Sequence, residues 1–167
     1  KMAPYFLVVS NLKPNNQNDK NVVKGNERVL KARLSDALFF WENDCKNDFS
    51  YYLNKLKTMI FYEGLGDLHD RSLRLSKINE KIGPLFNIND NKKLNKLGLY
   101  SKLDLSSNLV GEFPELQGTM LKYLAKLNGF SKDMQFAFED QYKPVGLNKN
   151  MPRNKLGSIL SISNNID

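Results

Sequence analysis

Apolar side chains return every three or four positions along most of the chain, which is the spacing of one face of an α-helix. The pattern begins at about residue 26, and turn residues interrupt it at Gly64 and Gly66, at Gly83–Pro84 and at Asn128–Gly129. From that point on, the chain has a helical period rather than a strand period. The pattern predicts an all-α domain, a bundle of about six or seven helices.

Each predicted helix has one apolar face that we expect to lie in the core. In chain order these faces comprise Val29, Leu30, Leu34, Ala37, Leu38 and Trp41; Phe49, Tyr52, Leu53, Leu56, Met59 and Ile60; Leu68, Leu75, Ile78 and Ile82; Leu94, Leu97, Tyr100 and Leu103; Leu116, Met120, Tyr123, Leu124 and Leu127; and Met134, Ala137 and Phe138. Asn26 and Ser131 are suited to cap the first and sixth helices. Pro114 suits the first turn of the fifth helix, where its missing N–H is not needed.

The first 25 residues have a different character. Pro4–Ser10 is a β-branched and aromatic run that predicts one strand, and Asn11–Asn26, rich in Asn, Asp and Lys, predicts a loop or linker. Because a lone strand cannot satisfy its ladder bonds, we expect residues 1–25 to be the strand and linker at the end of a preceding β-containing domain. We expect residues 26–167 to be the helical domain, truncated at its C-terminal end, because the apolar pattern of Leu156–Asp167 stops abruptly.

The composition is that of an ordinary water-soluble protein, with 41% hydrophobic and 26% charged residues over 167 positions. The longest apolar run near either end, Tyr5–Val9, is too short to span a bilayer or to form a signal core. The single cysteine, Cys45, forms no internal disulfide and fits a reducing cytosol. We therefore expect a cytoplasmic protein without a membrane partner.

A net charge of +7 and a pI near 9.4 predict attraction to polyanions such as nucleic acid. A compositional bias towards Lys and Asn explains the charge equally well, because the lysines are scattered singly. The candidates for RNA phosphate contact are Arg28, Arg33, Arg71, Arg74 and Lys77. Structural interpretations compete with this one: Arg33 can form a surface pair with Asp36, and the other cations can lie on ordinary solvated helix faces.

The adjacent pair His69–Asp70 is the motif that most suggests metal chemistry. Metal-dependent phosphohydrolases need several His and Asp ligands from different helices, whereas this chain has one histidine. Asp67 and Asp70 have instead the spacing of a capping box at a helix start. Glu112 and Glu115 have no partner base nearby, and the chain has neither a phosphate-binding loop nor a dinucleotide motif. We predict no catalytic, cofactor-binding or metal-binding residues.

Two blocks stand out as specific strings: Gly25–Phe40 (GNERVLKARLSDALFF) and Leu109–Gly118 (LVGEFPELQG). The further blocks are, in order, Pro4–Phe6, Leu65–Asp70, Ser101–Leu105 and Tyr142–Pro144. Together they resemble the β subunit of bacterial glycyl-tRNA synthetase, the two-subunit type. The resemblance covers nearly the whole chain and identifies it as an internal slice of a longer subunit.

The resemblance implies both a fold and a role. In that family the α subunit carries the class II active site, which joins glycine to tRNA with ATP and Mg, and the β subunit handles the tRNA. This slice would hold the end of a β-rich part and most of a helical HD-like domain, with no cofactor of its own. The implied partners are glycine tRNA and the α subunit, in a heterotetramer of two α and two β subunits.

HD domains bind metal through a His, a His-Asp pair and an Asp. The resemblance places Leu103–Asp104 where the His-Asp pair would stand and Asn164 where the Asp would stand. It therefore implies that Asp104 alone survives and that the metal site has been lost. Two other departures from the family pattern, Gly64 and Leu121, bear on local packing only.

The leading hypothesis is a non-catalytic domain of the β subunit of a glycine–tRNA ligase that helps to grip and place glycine tRNA during protein synthesis. Two alternatives remain open. The first is an HD-type metal-dependent phosphohydrolase, and the second is a purely structural helical module that docks subunits.

Overall fold

The computed structural model describes residues 4–11, 16–146 and 150–167, with the backbone alone for 16–18. The chain divides into two compact units, residues 1–40 and 41–167. The helices are α1 (Asn16–Asp44), α2 (Phe49–Leu56), α3 (Leu68–Ile82), α4 (Asn91–Leu99), α5 (Asn108–Glu112), α6 (Thr119–Leu127), α7 (Lys132–Asp140) and α8 (Lys155–Ile166). Two short strands, β1 (Ile60–Tyr62) and β2 (Gly66–Asp67), and three 3-10 turns, Gly83–Phe86, Leu103–Ser106 and Pro114–Leu116, complete the described elements. The predicted all-α class is confirmed.

Helix α1 accounts for most of the first unit and begins earlier than the sequence pattern predicts. Asn26, the expected cap, lies in mid-helix, where its Nδ2 donates to the carbonyl of Val22 at 2.8 Å. The linker prediction is wrong for residues 16–25 because Asn, Asp and Lys weaken a helix only slightly, and no proline occurs between residues 15 and 83. The rest of that predicted linker, residues 12–15, lies outside the described residues.

The strand expected at Pro4–Ser10 is not formed. Residues 5–11 make no ladder, and the one described sheet pairs β1 with β2. The expected boundary after residue 25 falls inside α1. The assignment of residues 1–25 to a preceding β-containing domain stays a prediction.

Much of the predicted apolar face of α1 is exposed. Val29 is 63% exposed, Leu34 61% and Leu38 57%. These three side chains therefore do not form a core within the first unit, contrary to the prediction.

The second unit has one hydrophobic core. Its buried members are Phe49, Tyr52, Leu56, Leu68, Leu94, Leu97, Leu103, Leu121, Leu124, Ala125, Met134, Ala137, Phe138, Leu156, Ile159 and Leu160. Phe130 lies among the rings of this core, stacked on Phe49 with centroids 5.0 Å apart. Most of the residues predicted to be internal are in this core, but Tyr123 and Leu127 are exposed.

The second predicted helix ends early, at Leu56, and is followed by a hairpin. Ile60, expected in the helix core, lies on β1 opposite Asp67 and is 83% exposed. The predicted turn is confirmed, since Gly64 and Gly66 have φ of +81° and +83°, a region that other residues rarely adopt.

Pro114 does not open the fifth predicted helix. Pro114–Leu116 is an isolated 3-10 turn, and α6 begins at Thr119, after Gly118 with φ of +78°. The change of chain direction at Gly118 separates the 3-10 turn from α6. The short helix α5 before it was not predicted.

The predicted caps of α3 and α7 are confirmed. Asp67 and Asp70 form a reciprocal capping box at the start of α3, and the Ser131 hydroxyl accepts the N–H of Met134 at the start of α7. In the described residues no helix is both long and apolar enough to cross a lipid bilayer.

Helices α3 and α4 approach each other closely at Gly98. A Cβ added to Gly98 would lie 2.3 Å from the backbone nitrogen of Ser76. Only glycine fits there, because the neighbouring atoms belong to a helix backbone and cannot move aside alone.

We expect Gly98→Ala to lower the free energy of unfolding by about 2 kcal/mol, a typical cost of overpacking. Gly111→Ala is the matched control, because a Cβ at Gly111 meets no atom within 4 Å and alanine favours a helix. Urea unfolding of both variants measures the difference. Equal stability of the two variants would contradict the close approach.

Candidate functional site

A buried lysine lies at the centre of the second unit. Lys102 is 1% exposed, and its Nζ donates to Gln141 Oε1 at 2.9 Å and to the Tyr142 hydroxyl at 3.1 Å. The same Nζ lies 4.5 Å from the centroid of the Tyr142 ring. We call Lys102, Asp104, Gln141, Tyr142 and Asn164 the polar centre.

The backbone around the polar centre fixes its side chains. Lys102 lies just after α4, at the start of a 3-10 turn, and Gln141 lies just after α7. The Gln141 Nε2 donates to the carbonyls of Ser101 and Phe138, both at 2.9 Å. Because both donor positions are engaged, the Gln141 Oε1 is left to accept from Lys102.

Asp104 brings a carboxylate into the polar centre. It is fully buried, and its Oδ2 accepts the N–H of Gly118 at 2.6 Å. Within the described residues Asp104 Oδ1 and Asn164 Oδ1 are buried without a hydrogen-bond partner. The Asn164 Nδ2 donates to the Gln141 carbonyl at 3.2 Å, so α8 also contributes to the polar centre.

Burial shifts both ionisable groups towards their neutral forms. Burial, reinforced by the Arg71 guanidinium, lowers the pKa of Lys102 from 10.5 to about 7. Burial raises the pKa of Asp104 from 3.8 to about 6, although the N–H of Gly118 and the Lys102 ammonium oppose this rise. Burial also raises the pKa of Tyr142.

The polar centre does not suit a resident divalent metal ion. The residues expected at the HD positions supply one carboxylate, from Asp104, and one amide, from Asn164. Metal sites of this type need histidines and several anionic ligands. The donor set of the polar centre is thus that of a hydrogen-bonded lysine rather than that of a metal site.

His69 lies elsewhere, in the first turn of α3. Asp67, His69 and Asp70 each offer a ligand atom, and these atoms lie within 4.8 Å of one another. Both carboxylates already serve the helix start: Asp67 Oδ1 accepts the N–H of Asp70 at 2.8 Å, and Asp70 Oδ2 accepts the N–H of Asp67 at 3.2 Å. The capping interpretation of this motif is therefore confirmed.

Two of the five candidate phosphate contacts are partly buried and already engaged within the protein. Arg71 and Arg74 both pair with the buried carboxylate of Asp167, through their Nε atoms at 3.1 and 2.5 Å. The Arg71 guanidinium also lies 4.3 Å from the centroid of the Phe61 ring, and Arg74 Nη1 donates to the carbonyl of Leu65.

The other three candidates are exposed: Lys77 on α3, and Arg28 and Arg33 on α1. The structure thus separates Lys77 from the two engaged arginines on the same helix. Contact of any of the five with RNA stays a prediction.

Charge is distributed unevenly between the interior and the surface. Asp44, Asp104 and Asp140 are buried, whereas Lys102 is the one buried Lys or Arg among the described residues. Desolvation raises the pKa of Asp140, but hydrogen bonds from Arg153 and Lys143 outweigh it and bring the pKa to about 2.

Comparison with known proteins places the chain in a family. The family model described as "Glycyl-tRNA synthetase beta subunit" matches residues 1–167. The chain belongs to this family. Glycine–tRNA ligase β subunits of Thermodesulfovibrio yellowstonii and of Buchnera aphidicola are each 40% identical to it, and that of Pediococcus pentosaceus is 35% identical. Each match covers 100% of this chain and 24% of the relative, so the chain spans about a quarter of these β subunits.

In this β-subunit segment, sequence reasoning reached Asp104 and Asn164 through the family resemblance but missed Lys102 and Gln141. Lys102 follows the apolar row of α4, and only its position within the buried string Ser101–Asp104 distinguishes it from surface lysines. Gln141 lies three residues after Phe138 in the predicted sixth helix, and nothing in the sequence marks it as a lysine partner.

We expect Lys102 and Asp104 to be energetically coupled. In a double-mutant cycle at about pH 6.5, Lys102→Met should cost roughly 1–3 kcal/mol more with Asp104 present than in the Asp104→Asn background. The reason is that the Lys102 ammonium favours the carboxylate form of Asp104, and the buried carboxyl must take up a proton when the ammonium is removed. The same cycle with the exposed Lys57→Met is the control, and equal coupling in the two cycles would contradict the expectation.

We also expect the polar centre to stabilise the fold least between pH 6 and 7. Between pH 7 and 10.5 the unfolded chain binds more protons at Lys102, so the free energy of unfolding rises with pH. Between pH 3.8 and 6 the folded chain binds more protons at Asp104, so the free energy of unfolding falls as the pH rises.

The measurement is the free energy of unfolding against pH for the natural chain minus that of the Lys102→Met/Asp104→Asn variant. The difference should pass through a minimum near pH 6–7. A difference that does not change with pH would show that neither pKa is shifted.

Proposed function

We propose that this chain is a non-catalytic, tRNA-contacting domain of a glycine–tRNA ligase β subunit, which supports the attachment of glycine to its tRNA in the cytoplasm. The α subunit would perform the chemistry with ATP and Mg, in a complex of two α and two β subunits. The domain itself would recognise the shape and the phosphates of the RNA rather than its sequence.

The observation that carries this proposal is the placement of charge. The net charge is +7, three aspartates are buried, and of the Lys and Arg side chains in the described ranges only Lys102 is buried. Most of the cations therefore face solvent, where they can meet a polyanion. The polar centre supports the non-catalytic part, because its residues do not suit a metal ion. The same mismatch argues against the metal-dependent phosphohydrolase.

A structural docking role is the second candidate, and one observation favours it. Leu34 and Leu38 lie one helical turn apart on α1 and are 61% and 57% exposed, so they form an exposed apolar row. Such a row is typical of a surface that another protein segment covers.

We expect tRNA binding by the complete ligase to weaken steeply with salt, because each phosphate contact contributes a slope of roughly 0.7–0.9 in log affinity against log salt. The joint reversal Arg28→Glu/Lys77→Glu should lower tRNA affinity and leave subunit assembly intact. Filter binding at several salt concentrations, together with sedimentation of the complex, measures both.

The docking role makes the opposite forecast for this variant: tRNA affinity stays constant, and only assembly changes. Arg71 and Arg74 are poor choices for the same test, since their reversal would also break the pairs with Asp167. Equal tRNA affinity of the natural ligase at low and high salt would overturn the tRNA-contacting role.

A further inference from the structure

A basic groove lies between the start of α4 and the connection from α6 to α7. It has a volume of about 520 Å³. Lys92, Lys93 and Lys96 line one side, and residues 128–131 line the other.

The lysines of the groove are available to a ligand. Lys92 and Lys96 are exposed and lie one helical turn apart, so they share a face of α4. The one acidic residue of the lining, Asp90, is the N-cap of α4, and its Oδ1 accepts the N–H of Lys93 at 3.0 Å. Its carboxylate is therefore held at the helix end rather than paired with a lysine of the groove.

The backbone around the groove also favours an anion. The first turns of α4 and α7 both contribute to the lining, and the N-terminal end of a helix carries partial positive charge. A Cβ added to Gly129 would meet no atom within 4 Å, so a ligand can approach the backbone closely there. Phe130, which lines the groove, is held in place because its ring stacks on that of Phe49 in the core.

We propose that this groove binds the phosphate backbone of RNA, and this inference rests on the tRNA-contacting role proposed above. Lysines are mobile point charges, which suit contact with successive phosphates and carry no base specificity. The structure favours this groove over Arg71 and Arg74, whose guanidinium groups are both already engaged by the carboxylate of Asp167.

The test is the joint charge reversal Lys92→Glu/Lys96→Glu in the β subunit of the complete ligase. Affinity for glycine tRNA should fall at least tenfold, and the slope of log affinity against log salt should fall by about 2, one for each lost phosphate contact. The melting temperature should stay the same, because both side chains are exposed. Lys57→Glu/Lys155→Glu is the matched control, since it changes the charge equally at two exposed lysines outside the groove.

The outcomes separate this inference from the proposed function. If the natural ligase binds tRNA with a steep salt dependence and the groove variant binds like the control, the inference about the groove is wrong and the tRNA-contacting role stands. If the natural ligase shows no salt dependence, both fail. Loss of α-subunit association with unchanged tRNA affinity would identify the groove as a protein interface and overturn the inference.

Discussion

Two buried carboxylates, those of Asp44 and Asp104, hold the backbone of the segment between α4 and α6 in place. Asp44 accepts the N–H groups of Asn108 and Leu109 at 3.0 and 2.9 Å, and Asp104 accepts that of Gly118 at 2.6 Å. Without these acceptors, N–H groups at the start of α5 and just before α6 would lose the partners that buried backbone requires. Asp104 is also part of the polar centre. A substitution of Asp104 therefore changes both the anchoring of this segment and the surroundings of Lys102.

The same arrangement explains how the interior tolerates a lysine. The ammonium of Lys102 has two oxygen partners and the face of an aromatic ring, which offset part of the cost of removing it from water. The amine of Lys102 and the carboxyl group of Asp104 thus lie within one buried polar centre, where each affects the pKa of the other. Its hydrogen bonds connect the residues just after α4 and α7 with α8.

Local signals in the sequence were sufficient for α3 and α7, whose caps and apolar rows lie within a few residues. They failed where a distant residue decides the outcome. Arg71 and Arg74 lie three residues apart on α3, but Asp167, which engages both, lies more than ninety residues further along the chain. The prediction that Pro114 opens the fifth helix was wrong because of a nearby residue. The positive φ of Gly118 changes the chain direction before α6 begins.

The contact at Gly98 has a consequence for recognition at a distance. Backbone touching backbone leaves no layer of adjustable side chains at that point, so α3 and α4 behave there as a single rigid plate. The backbone positions that carry Lys77 on one helix and the lysines of the groove on the other therefore keep a constant separation. A polyanion that reaches both must match this helix spacing, and only the mobile lysine side chains can adjust to it.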